Sequence, residues 1–221
     1  MRIRKKNWGP DELAVCPFFV QDPVSFAGNW RSLFPKKQPL HLELGCGKCI
    51  STSQMAKANP QINFLAVDEI SDMLARANRV IQNTYGDAPV DNLRLTPFDC
   101  MYISQYILPE DSVERIYINF CNPWTKKSRH EKRRLTHPRQ LTQYREFLVP
   151  GGEIYFKTDD DILFDASLDY FQQCGFALRY CTRNLHASGY EPNYMSEHEI
   201  MFTRQGIATK FAIVQMMNPL P

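Results

Sequence analysis

Apolar and polar positions along this 221-residue chain follow two alternating rhythms. Short runs rich in β-branched and aromatic residues, at 40–44, 63–67, 93–97, 113–120, 153–157, 176–181 and 207–215, predict strands. Between them, 50–58, 71–84, 138–148 and 162–173 carry apolar residues three and four apart and predict helices. Ser196, Glu197, His198 and Glu199 match the S-x-x-E capping box, which opens one more helix and accounts locally for Ser196 and Glu199; that helix stops near Gly206. Strands that alternate with helices build an α/β fold with a doubly wound, mostly parallel sheet. Residues 1–39 hold Pro10, Pro17, Pro23, Pro35 and Pro39 and show no sustained period. They predict an irregular N-terminal arm with a short helix near 24–33, ahead of a single domain over 40–221.

Charge changes this picture only locally. The chain carries 26 Lys and Arg against 24 Asp and Glu, a formal net charge of +2. Two basic segments therefore stand on a near-neutral body: Arg2, Arg4, Lys5 and Lys6, and the run from Lys126 to Arg134. Such a patch suits a directed polyanion site rather than general coating of nucleic acid; for the N-terminal segment a frayed, solvated terminus is an equal reading. Seven scattered cysteines read as reduced core residues. Cys46 and Cys49 form a C-x-x-C, but no second pair lies at zinc-site spacing, so no metal is expected. No run approaches the ~18 apolar residues of a membrane span, and nothing resembles a signal peptide. The expectation is a cytoplasmic protein without a membrane partner, as monomer or homodimer.

The candidate chemistry sits at strand ends. Glu43 precedes a Gly45-Cys46-Gly47 turn, where glycines let a ligand approach the backbone at the carboxyl end of a parallel sheet. Asp68 ends the second strand, placed either to accept from ribose hydroxyls or to cap the next helix. Asp99 ends the third, placed to accept from an adenine amino group. Three acids at three successive strand ends point to a nucleoside ligand. The fourth strand delivers Asn122-Pro123-Trp124 to the same edge. Six of the nine residues 126–134 are then Lys or Arg; Lys126, Lys127, Arg129, Lys132, Arg133 and Arg134 are candidate phosphate contacts, with a solvated basic helix as the alternative. Of Asp159, Asp160 and Asp161, one suffices to cap the following helix, which leaves Asp159 for a ligand.

Assembled, Asn119-Phe-Cys-Asn-Pro-Trp-x-Lys-Lys and Arg-His-x-Lys-Arg-Arg-Leu resemble the F-x-D-P-W-x-K-K-R-H-x-K-R-R-L signature of the bacterial tRNA (guanine-N7)-methyltransferase family, with Ser128 as a one-residue insertion. Phe156-Lys-Thr-Asp159 resembles its F-K-T-D, and Ser196-x-His-Glu199 its T-x-Y-E. The likeness runs over roughly residues 1–215. It implies a seven-stranded class I methyltransferase (Rossmann-like) fold and methyl transfer from S-adenosylmethionine to N7 of a guanine in the variable region of tRNA. Carried over by position, it implies that Glu43, Asp68, Asp99 and Asn122 bind S-adenosylmethionine beside Gly45 and Gly47, and that Lys126, Asp159, Ser196, His198 and Glu199 contact substrate. It also implies that position 122 is catalytic.

Several positions depart from the pattern. The family's catalytic Asp is Asn122 here, a glycine is Cys49, a Thr and a Tyr are Ser196 and His198, and a Lys is Met201. Asn122 keeps the shape of the Asp and loses its charge. The expectation is transition-state stabilisation weaker by about 1 to 3 kcal/mol, the scale of one charged hydrogen bond. Two other readings remain: a catalytically lapsed tRNA-binding member of the fold, and an amino-group methyltransferase in which Asn122-Pro123-Trp124 acts as an N-P-P-Y-like acceptor. His130, His186 and His198 read as exposed or structural.

Overall fold

The computed structural model describes residues 8–125 and 128–217; Arg2, Arg4, Lys5, Lys6, Lys126 and Lys127 lie outside the described residues. The chain runs α1 (Gly9–Ala14), β1 (Leu40–Leu44), α2 (Ile50–Ala58), β2 (Asn63–Asp68), α3 (Ser71–Tyr85), β3 (Leu93–Pro97), β4 (Val113–Asn119), α4 (Pro138–Phe147), β5 (Leu148–Thr158), α5 (Asp161–Gln173), β6 (Phe176–Thr182), α6 (Glu197–Arg204) and β7 (Lys210–Met216). The strands form one seven-stranded sheet in the order β3-β2-β1-β4-β5-β7-β6. β7 is antiparallel to both its neighbours, and the other pairings among β1 to β5 are parallel. This is the doubly wound, mostly parallel sheet that the alternation of strands and helices predicts.

Alternation along β1 shows how the sheet is buried. All five of its residues are buried. Leu40, Leu42 and Leu44 join the core beneath α4 and α5, together with Leu141, Tyr144, Phe147, Leu163, Phe164 and Phe171. The opposite layer is built on Leu13, Met55, Phe64, Ala66, Leu74, Ile81 and Leu95 from α1, α2, α3 and the strands they cover. Glu43 belongs to this second face by period two, so a carboxylate is carried into the interior on the central strand.

The arm departs from expectation by being ordered and deeply engaged. It opens with a helix, α1, that the irregular composition hid, and continues through 3₁₀ turns at Val24–Phe26 and Trp30–Leu33, within the short helix expected at 24–33. Its proline-rich backbone finds partners outside itself. Leu95 N–H donates to the Phe18 carbonyl (2.9 Å) and Val20 N–H to the Leu95 carbonyl (2.8 Å), which extends the β3 edge. Trp30 is fully buried, and its indole donates to the Tyr106 carbonyl at 2.7 Å. The buried Asp111 carboxylate accepts from the backbone N–H of Gly28, Trp30 and Leu108.

Two strand boundaries also move, for local reasons. β5 begins at Leu148, before the glycines. There a Cβ on Gly152 would lie 2.9 Å from the Val149 carbonyl, so only glycine passes. β7 begins at Lys210 rather than 207 because the Ile207 N–H closes the end of α6 on the Phe202 carbonyl (3.0 Å), with Gly206 left-handed at φ +73°. No helix among the described residues is long and apolar enough to cross a membrane.

Candidate active site

The strand order reverses direction of growth between β1 and β4, and the loops leaving their carboxyl ends part there. Sites in doubly wound sheets open at this point. After β1 the chain turns through Gly45 (φ +75°) and Gly47 (φ +55°). A Cβ on Gly45 would meet nothing within 4 Å, so the space above the turn is open to a ligand. Glu43 lies beneath. Its Oε1 accepts from Asn119 Nδ2 at 2.9 Å, whereas its buried Oε2 has no hydrogen-bond partner among the described residues. Burial pushes its pKa up to about 7, against the pull of Asn119 and Lys157.

Asp68 turns back toward the glycine loop. Oδ2 accepts from Gly47 N–H and Oδ1 from Ile70 N–H, each at 2.9 Å. The N-cap of α3 is Ile70, which has no side chain to cap with; of the two sequence readings, the helix cap is not the one adopted. Burial raises the Asp68 pKa. Asp99 accepts from Met101 N–H (2.8 Å) and caps the 3₁₀ turn Cys100–Gln105. Gly45, Asp68, Asp99, Tyr102, Asn122 and Trp124 line a cleft of about 610 Å³. It adjoins a pocket of about 200 Å³ lined by Glu43, Gly47, Asn119, Phe120, Ser196 and His198, and Gly45 and Asp68 line both.

The turn after β4 forms the other wall. Phe120 (φ +52°) and Trp124 (φ +49°) are left-handed, an unfavourable state for bulky side chains that surrounding contacts must hold. Within it Asn122 Oδ1 accepts from Trp124 N–H at 3.0 Å. The Pro123 carbonyl accepts from Arg134 Nε at 2.8 Å. Arg134, expected on phosphates, is 2% exposed and clamps this turn from behind, with Glu131 3.5 Å from its guanidinium. The physical reason is that the bent turn leaves a carbonyl facing inward, and a buried acceptor requires a donor. Arg129, Lys132 and Arg133 do line the cleft and are exposed, and the Arg133 guanidinium lies 5.0 Å from the Trp124 ring centroid. The described part of the basic run is a short 3₁₀ helix, Ser128–Arg133, with Arg129, Lys132 and Arg133 exposed. The candidate contacts Lys126 and Lys127 lie outside the described residues.

The remaining candidates divide. Asp160 caps α5 through Leu163 N–H (2.7 Å), and the Asp159 carboxylate has no hydrogen-bond or ion-pair partner among the described residues. Ser196 caps α6 through Glu199 N–H (3.2 Å) and borders the smaller pocket with His198, whose ring stacks on Phe120 at 6.3 Å and 19°. Glu199 is fully buried. Its oxygens hold Lys157 Nζ (3.0 Å), Asn193 Nδ2 (2.8 Å) and His186 Nε2 (3.2 Å). Glu199 lines neither the cleft nor the pocket adjoining it. Lys157 and Asn119, which secure this wall and Glu43, were not singled out in the sequence; each is a polar residue inside an apolar strand, and that signal could have found them. Lys48 and Glu197 pair between the glycine loop and the start of α6. Cys46 and Cys49 are buried free thiols. Among the described residues no three His, Cys, Asp or Glu side chains are grouped to hold a metal.

Comparison with known proteins agrees with this geometry. Residues 37–212 match a family model described as "Putative methyltransferase". The chain is 50% identical to the tRNA (guanine-N(7)-)-methyltransferase of Clostridium perfringens (strain SM101 / Type A), over 98% of this chain and 100% of that protein. It is 48% identical to the enzyme of the same name from Acetivibrio thermocellus, over 97% and 99%. Among solved structures, the 16S rRNA methyltransferase KamB superposes with a TM-score of 0.57 at 11% identity, covering 86% of this chain and 93% of that one. The N-methyltransferase NodS from Bradyrhizobium japonicum, with S-adenosyl-L-homocysteine, gives 0.53 at 12% identity, covering 80% and 78%. These two likenesses establish the class I methyltransferase fold.

Proposed function

The chain belongs to the tRNA (guanine-N7)-methyltransferase family, and from that membership we propose that it transfers a methyl group from S-adenosylmethionine to N7 of a guanine in the variable region of tRNA. One observation carries the residue assignments: the three strand-end acids, the glycine turn, the Asn-Pro-Trp turn and a basic rim meet in a cleft and the pocket that adjoins it. S-adenosylmethionine supplies an activated methyl group on a sulfonium sulfur. The residues present fit it. The unpartnered Glu43 Oε2 suits its ammonium group, Asp68 the ribose hydroxyls, Asp99 the adenine amine, and Gly45 and Gly47 the close approach of its chain. Asn122 borders both cofactor and base.

Guanine N7 carries an in-plane lone pair that is unprotonated at neutral pH, so no general base is required and catalysis is chiefly positioning. By the family pattern Lys126, Asp159, Ser196, His198 and Glu199 are assigned to the substrate, and Glu199 also holds Lys157 and Asn193. Lys127, Arg129, Lys132 and Arg133 grip phosphates. The protein acts in the cytoplasm without a metal, as monomer or homodimer. The amino-group reading loses support because the relatives at 48–50% identity are named as guanine-N(7) enzymes.

Three outcomes are expected. tRNA affinity falls with salt at a log–log slope of about −0.7 to −0.9 per phosphate contact, and changing Arg129, Lys132 and Arg133 together to Ala reduces that slope by about 2 to 3. A slope unchanged in the triple variant removes these residues from the RNA site. Second, Asn122→Asp raises kcat at saturating tRNA by about tenfold to a hundredfold, because a carboxylate offsets the positive charge that the purine gains; a variant no faster than the natural protein contradicts this.

The third concerns pH. The Glu43 pKa is raised from 4.5 to about 7 by burial, so the folded protein binds a proton that the unfolded chain has lost. This group therefore costs stability progressively as pH rises from 4.5 to about 7, on the order of 3 kcal/mol in full. An ammonium ligand favours the ionised form. S-adenosylmethionine binding accordingly releases about one proton at pH 6 and little above pH 8, measured by calorimetry in buffers of different ionisation heat. Proton release equal at both pH values contradicts the assignment.

The function itself is tested with unmodified tRNA transcript and S-adenosylmethionine, followed by nucleoside mass spectrometry. 7-Methylguanosine is expected. A methylated exocyclic amine would move the protein to the amino-group class.

A further inference from the structure

In the Asn-Pro-Trp turn the Asn122 and Pro123 oxygens are engaged by the protein, and the Asn122 amide nitrogen is not. Asn122 Oδ1 faces the Trp124 backbone N–H at 3.0 Å. A backbone N–H can only donate, so the amide atom opposite must be the oxygen, and this fixes which way the amide lies. The Pro123 carbonyl is engaged by the buried Arg134, and Pro123 has no N–H. Asn122 is exposed and borders the cleft. The group left without a partner among the described residues is Nδ2, with two hydrogens to give, while Oδ1 is already engaged by the backbone. Of the other groups lining the cleft, Arg129, Lys132 and Arg133 are donors only, and the acceptors are the acids Asp68, Glu69 and Asp99.

We propose that Asn122 reads the O6 atom of the target guanine through Nδ2, and so selects the base by the edge on which N7 itself lies. This rests on guanine N7 transfer as the reaction and deepens it. On the edge carrying N7, guanine offers the acceptors N7 and O6, whereas adenine offers N7 and an amino donor. Nδ2 of Asn122 then pairs with guanine and meets adenine donor to donor, leaving two groups unpaired and desolvated. Asn122 thus sets specificity and the angle at which N7 is held. It does not stabilise developing charge, since O6 becomes a poorer acceptor as the purine turns cationic.

The test uses tRNA in which the target guanosine is replaced by inosine, which keeps O6 and loses the N2 amine, or by 2-aminopurine ribonucleoside, which keeps the amine and loses O6. With the natural protein, inosine is expected to be methylated at N7 with kcat/KM within about threefold of guanosine, and 2-aminopurine about tenfold to a hundredfold more slowly. Intrinsic reactivity of the two bases cancels when the guanosine to 2-aminopurine ratio is compared between proteins. In Asn122→Ala, first checked for stabilisation by S-adenosylmethionine, that ratio falls at least tenfold. A ratio equal in natural and variant proteins overturns the proposal. Loss of activity on inosine with activity kept on 2-aminopurine overturns it in favour of the N1 and N2 edge. Absence of N7 product from the guanosine transcript removes the underlying reaction and the inference with it, an outcome distinct from the other two.

Discussion

Asp68→Ala is expected to weaken S-adenosylmethionine binding by a hundredfold or more while leaving the protein folded. Its carboxylate does two things at once. It receives Gly47 and Ile70 N–H, each at 2.9 Å, and it presents its remaining lone pairs to the cleft, where ribose hydroxyls are the proposed donors. Charge-assisted hydrogen bonds contribute about 1.5 to 3 kcal/mol each, and a loss of about 2.7 kcal/mol is a hundredfold in affinity. Removing the side chain also frees the glycine turn, so the pocket loses shape together with its acceptor. Asp68→Asn keeps one acceptor oxygen for the loop and should fall between the two. Titration calorimetry measures all three; an Asp68→Ala affinity within threefold of the natural protein contradicts the cofactor assignment.

Trp30→Ala is expected to cost about 3 to 5 kcal/mol of stability, the range for removing a large aromatic side chain from a core. Trp30 is fully buried, and its loss leaves the Tyr106 carbonyl, which accepts from the indole at 2.7 Å, without its donor. Urea unfolding should show a lower midpoint with an unchanged slope. A loss below about 1 kcal/mol would mean that the arm is an ornament on the sheet, against the contacts it makes through Asp111 and Leu95.

The same arm marks where sequence reasoning ran out. Periodicity located the strands and most helices because each buries one face, and burial writes itself into spacing. It said little of residues 8–39, whose order comes from side chains and backbone groups of distant segments: Phe18 and Val20 on Leu95, and Gly28 and Trp30 on Asp111. Glu43, Asp68 and Asp99 were legible because an acid that ends an apolar strand has few other reasons to be there. Arg134 was not. A cation in a run of cations reads as surface, and only the inward-facing Pro123 carbonyl explains its burial. The partners of Glu199 were not legible either: its sequence pattern fits a cap, and only the fold brings Lys157 and Asn193 to its carboxylate. Asn122 was legible as a residue but not as a donor, because the direction of an amide is set by its neighbour across the turn.

The central claim is that this cleft delivers a methyl group to the N7 atom of a tRNA guanine, and one atom decides it. A tRNA carrying 7-deazaguanosine at the target position keeps every other guanine donor and acceptor and lacks only the nucleophilic nitrogen. Methyl uptake from S-adenosylmethionine into that tRNA should fall to background, while the unsubstituted tRNA takes up one methyl group per molecule. Uptake that persists in the 7-deaza tRNA would place the methyl group on another atom and contradict the account.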